Sequence, residues 1–119
     1  MVLVDTSVWV SHLNHGVADL ESLLKDTRVA AHPFIVGELA CGKLRNRKEI
    51  LSLLQALPCA PLVEQAELLH FIEQNSLMGI GIGFVDVHLL ASAQLFHVPF
   101  WTFDLRLKCA AARLNLGYK

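Results

Sequence analysis

VLVDTS, residues 2–7, is the stretch from which the rest of the chain is best read. Val2, Leu3 and Val4 form an apolar run too short for a helix, which suits a strand covered on both faces, as in a parallel sheet. Asp5 ends it, and Thr6 and Ser7 can cap a following helix. Moving outward, Val29, Ala30 and Ala31 make a second short strand, and Pro33 suits the first turn of a helix running through Glu38 toward Lys43. Ile50, Leu51, Leu53, Leu54 and Leu57 give the next helix its apolar face. Pro58 and Pro61 bracket a connection, and the spacing over 63–75 is again helical. Gly79, Gly81 and Gly83 loosen the backbone before a helix over 84–96. Residues 99–102 read as the last strand, and Asp104 opens a terminal helix ending near Gly117. Short strands separated by helices predict an α/β domain with a central parallel sheet, whose ligand site lies at the carboxyl ends of the strands.

A chain of 119 residues fits one domain, taken to span 1–119. Hydrophobic residues make up 54% and charged ones 18%, so some apolar side chains are expected to face a partner. A net charge of −1 excludes the overall basic surface of a protein that coats DNA; any nucleic-acid site must be local. Cys41, Cys59 and Cys109 show no paired spacing, which argues against both a disulfide framework and a zinc knuckle and fits a reducing cytoplasm. The apolar run at the start is too short for a signal peptide, and no stretch is long enough to span a membrane.

Seven of the eleven acidic residues sit among polar neighbours and need no explanation. The other four, Asp5 in VLVD, Glu38 in FIVGEL, Asp86 in GFVDV and Asp104 in WTFDL, interrupt apolar runs. An ionised carboxylate taken out of water costs several kcal/mol, so each must be neutral, paired or bound to a cation. No Arg or Lys lies in any of these runs. All four can converge on one edge of the sheet, and an oxygen-only cluster suits Mg²⁺ or Mn²⁺ better than zinc. Water held by such an ion can be activated for attack on a phosphodiester. Hydrolysis of a nucleic-acid backbone is the reading that follows.

The order Asp-Thr-Ser at 5–7, Pro-x-x-x-x-Glu-Leu-x-x-Gly at 33–42, GIGFVDVHLLASA around Asp86 and Thr-x-Asp at 102–104 resembles the PIN domain, and more narrowly the VapC-type toxins of toxin and antitoxin pairs. The likeness covers nearly the whole chain. It implies a three-layer α/β/α sandwich and an endoribonuclease in which Asp5, Glu38, Asp86 and Asp104 are the metal-binding and catalytic acids. Thr6 and Thr102 match hydroxyl positions that order metal waters or the site. The resemblance also implies single-stranded RNA as substrate, a homodimer, and an antitoxin protein whose basic side chain enters the acidic site. After Asp104 the chain departs from the pattern: Leu105, Arg106 and Leu107 stand where a further acid or Asn is usual, which leaves the number of metal ions open.

Local explanations compete at each position. Asp5 or Asp104 alone could cap a helix, and Asp86 could be a first-turn acid favoured by the helix dipole, although that is worth only about 0.3–1 kcal/mol. Lys43, Arg45, Arg47 and Lys48, and separately Arg106 and Lys108, read first as solvated surface. Their functional reading is guidance of the RNA backbone, with Lys43, Arg45, Arg106 and Lys108 as the candidates. The histidines lack metal spacing, and His88 is expected on a helix surface or behind the ligands. Trp9 and Trp101 read as core or interface aromatics. An aspartyl-phosphate phosphatase would need Asp-x-Asp, where Ser7 stands; a receiver domain would need an adjacent acidic pair, where Val4 and Thr6 flank Asp5. A PIN-like module that binds RNA or protein without chemistry is a further alternative, and the intact acid set speaks against it.

Overall fold

The computed structural model describes residues 1–118. In chain order the elements are β1 (Val2–Val4), α1 (Thr6–His15), α2 (Ala18–Lys25), β2 (Val29–Ala30), α3 (Pro33–Ala40), α4 (Arg47–Ala56), α5 (Gln65–Gln74), α6 (Phe84–Phe96), β3 (Phe100–Trp101) and α7 (Leu105–Arg113). The three strands form a parallel sheet in the order β2-β1-β3 among the described residues. Val2 and Leu3 pair with Val29 and Ala30, while Leu3 and Val4 pair with Phe100 and Trp101. Single parallel bridges, Ala31 to Cys59 and Phe100 to Gly117, extend it at both edges.

Successive side chains of a strand point to opposite faces, yet Val2, Leu3 and Val4 are all buried. Both faces of the sheet are therefore covered, which fits the α/β domain with a central parallel sheet that the sequence pattern predicts and the three-layer α/β/α sandwich that the resemblance implies. The largest single contribution to the cover is α6, where the seven consecutive residues Val87 to Ala93 are buried. A helix apolar all round belongs inside, and its two polar exceptions have distinct surroundings. Ser92 Oγ lies 3.0 Å from His32 Nε2. His32 Nδ1 accepts from the Phe34 amide at 3.0 Å, so the ring proton sits on Nε2 and is donated to Ser92. Burial, with a smaller effect from His88, pushes the His32 pKa down to about 4, and the imidazole is neutral.

Several features differ from the sequence reading, including the helix read over 63–75, which runs Gln65–Gln74, and the strand read over 99–102, which is Phe100–Trp101. A further helix, α2, fills the segment after Gly16, which ends α1 at φ 77°. Helix α3 stops at Ala40, short of Lys43. Helix α7 ends at Arg113 rather than near Gly117, because the chain turns at Asn115 (φ 58°) and pairs with β3. The Phe100 amide donates to the Leu116 carbonyl at 2.6 Å, and the Tyr118 amide to the Phe100 carbonyl at 3.0 Å. The main chain of a buried two-residue strand needs partners, and this demand outweighs about one more turn of helix.

Candidate active site

Asp5 directly follows β1, and Thr102 and Asp104 follow β3, so the pairing of these strands carries residues nearly 100 positions apart to one sheet edge. Asp5 is buried and is oriented by two hydroxyls: Ser7 Oγ and Thr102 Oγ1 each donate to its Oδ2 at 2.7 Å. The oxygens of those hydroxyls in turn accept from consecutive amides, Phe103 to Ser7 Oγ at 3.0 Å and Asp104 to Thr102 Oγ1 at 3.1 Å. Both hydroxyl protons are thus committed to the carboxylate. The 3.2 Å approach between Ser7 Oγ and Thr102 Oγ1 is a contact that the shared acceptor imposes.

The other three acids follow one pattern. Thr6 Oγ1 donates to Glu38 Oε1 at 2.7 Å, joining α1 to α3. Asp86, in the first turn of α6, accepts the Gly83 amide on Oδ2 at 3.2 Å. Asp104 Oδ1 caps α7, accepting the amides of Arg106 at 3.0 Å and Leu107 at 3.2 Å. In each of the four carboxylates one oxygen is tied down, while the other has no hydrogen-bond partner among the described residues. Nor does any of the four have a basic partner; the ion pair seen among the described residues joins Lys25 and Glu21 on the surface.

The four charges reach one another at Asp86. Burial pushes its carboxyl above the usual carboxylate range, the Gly83 amide pulls the other way, and the charges of Asp5, Asp104 and Glu38 add to the rise. The convergence is electrostatic rather than tight: among the described residues no three such side chains close into a shell around a point. By chemistry the donor set is all carboxylate oxygen, which fits a hard divalent cation such as Mg²⁺ that keeps much of its water.

The burial expectation holds for Asp5 and in part for Asp86, whereas Glu38 and Asp104 are exposed. Around Glu38 the neighbours Ile35 and Leu39 pack inward while the acid points to solvent, whereas Asp104 stands between Phe103 and Leu105, which are themselves exposed. The surface alternative for His88 is not met, since the ring is buried between those of Phe34 and Phe84. The basic candidates separate in space. Lys43 and Arg45 line a groove of about 780 Å³ whose wall includes Thr6 and Glu38. Arg106 lies across Gly81, where a Cβ would stand 2.5 Å from its guanidinium. Lys108 lines a different hollow with Phe100, Thr102 and Tyr118.

Ser7 is the site residue that the sequence reading passes over, since it reads there only as a helix cap. The signal available was its place two residues after Asp5, where a hydroxyl on the first helical turn can reach back to the carboxylate.

In comparison with known proteins, the chain is 42% identical over 118 residues to Ribonuclease VapC32 of Mycobacterium tuberculosis, in strains CDC 1551 / Oshkosh and ATCC 25618 / H37Rv, covering 98% of this chain and 95% of the relative. No protein-family model matches.

Proposed function

The chain belongs to the VapC-type PIN-domain ribonucleases, and from that premise we propose that it hydrolyses single-stranded RNA with Mg²⁺ or Mn²⁺ at the edge formed by Asp5, Glu38, Asp86 and Asp104. The observation that carries this reading is the division of labour within each carboxylate, one oxygen held and the other left facing no protein partner. Four local caps would satisfy their own groups and need not sense one another, whereas Asp86 feels the charges of the other three. When bound, the ion supplies a positive charge for the scissile phosphate and water activated for attack.

The protein's own part is positioning. Ser7 and Thr102 fix Asp5 in one orientation, Thr6 fixes Glu38, and main-chain amides fix Asp86 and Asp104. Such fixing removes reorganisation from the reaction. Lys43 and Arg45 lead the RNA backbone along the groove toward Glu38, with Arg106 at the far side over Gly81. Attack of water at phosphorus expels the ribose 3′-oxygen and leaves a 5′-phosphate and a 3′-hydroxyl. Products ending in cyclic phosphate would mean attack by the 2′-hydroxyl instead. The decisive experiment is cleavage of a single-stranded RNA with Mg²⁺, Mn²⁺ or EDTA, with the ends sequenced; undiminished cleavage in EDTA refutes the metal role.

We further propose that the protein acts in the cytoplasm as the toxin of a pair, as a homodimer, and that an antitoxin supplies the cation the acidic edge lacks. No helix among the described residues is long and apolar enough to cross a membrane. Exposed Leu62, Leu69, Met78 and Leu95 are apolar surface available for partners. Growth arrest on expression without a partner supports the toxin role, and a monomeric mass in light scattering counts against the dimer.

A further inference from the structure

Two exposed phenyl rings lie within two residues of the carboxylates Asp86 and Asp104 in the chain. Phe84 is the first residue of α6, two positions before Asp86, and is 56% exposed. Phe103 directly precedes Asp104 and is 48% exposed. Aromatic side chains of this size are usually buried, and each of these is held at the surface by an inner ring. Phe84 stands edge-to-face on His88, centroids 4.7 Å apart at 84°, and His88 stands in the same way on Phe34, at 5.0 Å and 85°. Phe34 leans on His32 at 5.1 Å, and His32 is anchored by Ser92 and the Phe34 amide. Phe103 stands on buried Trp101 at 5.8 Å and 88°, with its amide bonded to Ser7. Each platform is therefore fixed before any ligand arrives.

We propose that Phe84 and Phe103 are stacking platforms for two bases of single-stranded RNA, one on each side of the phosphate held at the acids. The proposal rests on the nuclease reading above and adds the subsites that grip the strand. Every base has a π-face, so such platforms hold a strand without demanding a sequence. A wholly apolar protein surface suits the position less well, because Asp86 and Asp104, within two residues of the rings, are charges with no basic partner among the described residues. A nucleotide chain brings flat bases to the rings and leaves the phosphate, its counter-ions and water at the acids between them.

The test uses the full chain with single-stranded oligoribonucleotides in which one abasic residue is moved position by position around the cleaved bond. Cleavage and fluorescence anisotropy are both measured in Mg²⁺ or Mn²⁺. Phe84→Leu and Phe103→Leu are each expected to lower kcat/KM about 5- to 150-fold, the range for loss of one stacked base, while Phe84→Trp stays within about threefold of wild type. An abasic residue at one position should cost the wild type the same factor and cost Phe84→Leu nothing more; a second position should pair in this way with Phe103. Both rings are half exposed, so these changes spare the core. Leucine variants that cut as well as wild type overturn the proposal, as do abasic and variant losses that multiply at every position. Unchanged kcat/KM with an altered oligomeric mass would assign the rings to a protein interface and also overturn it. A wild type that neither binds nor cuts RNA instead removes the nuclease reading, and the platforms with it.

Discussion

Thr102 Oγ1 donates to Asp5 Oδ2 at 2.7 Å across 97 positions of sequence, while accepting the Asp104 amide at 3.1 Å. One buried hydroxyl thus sets the orientation of one acid and the main-chain position of another. Thr102→Val keeps the shape and removes both bonds. The expected result is a 10- to 100-fold fall in kcat with stability reduced by about 1–2 kcal/mol, read from steady-state cleavage and urea unfolding. Ser7→Ala should fall less far, since Thr102 still holds Asp5. Full activity in both variants would mean that Asp5 needs no clamp.

Asp86 ties charge to stability. Its folded pKa is raised, so the stability it contributes is present below the ordinary Asp range and is lost as pH rises through the folded value. Asp86→Asn should therefore melt higher than wild type at pH 7 without divalent ions, and the gap should close as pH falls below about 4. The same substitution should abolish cleavage. Equal melting temperatures at pH 7 would show that the raised pKa has no energetic weight.

The metal should be visible in melting alone. An ion that binds only the folded protein stabilises it by about 2.7 kcal/mol at 100 times its Kd. Mg²⁺ or Mn²⁺ should raise the wild-type Tm, and Asp5→Asn and Asp86→Asn should lose most of the rise. A rise that survives in both variants would place the ion elsewhere.

His32 carries an acid sensitivity that involves no catalytic group. A depressed histidine pKa gives stability that is complete above about 6.5 and is lost as pH falls toward 4. The loss should reach up to about 3 kcal/mol. His32→Ala should itself cost about 2–4 kcal/mol, because the Phe34 amide and the Ser92 hydroxyl lose their partner, and should flatten the slope between these pH values. Stability curves at pH 4 to 7 for both proteins decide the matter.

Lys43 and Arg45 line the groove beside Glu38 and Lys108 does not, so salt dependence should tell them apart. Removing one contact to single-stranded phosphate reduces the slope of log K against log salt by about 0.7. Lys43→Ala and Arg45→Ala should each do so, and Lys108→Ala should leave the slope unchanged. Identical slopes in all three would return the groove to ordinary surface.

The legible parts of the chain were those where one physical demand acts alone. Val2 to Val4 read as a doubly covered strand because no polar residue interrupts them, and the span of about 84–96 read for α6 from its glycines and apolar run matches the helix. The acids stood out for the same reason, as charges in apolar runs. What stayed hidden depended on contacts between distant segments. The end of α7 is decided by the pairing of Leu116 and Tyr118 with Phe100, and no local propensity encodes it. Ser7 looks like any helix cap until Thr102 arrives on the same carboxylate oxygen. Of the two readings of His88, helix surface or behind the ligands, the first fails because Phe34, more than fifty positions away, helps enclose it.

The first strand made is the middle strand of the sheet. During synthesis β1 can dock with β2 early, but its other edge stays bare until β3 emerges some seventy residues after β2, and an uncovered strand edge invites pairing with other chains. Thr102 and Asp104 arrive on that same late segment. A growing polypeptide therefore carries an unpaired strand edge before its last two strand-end residues, Thr102 and Asp104, have joined Asp5.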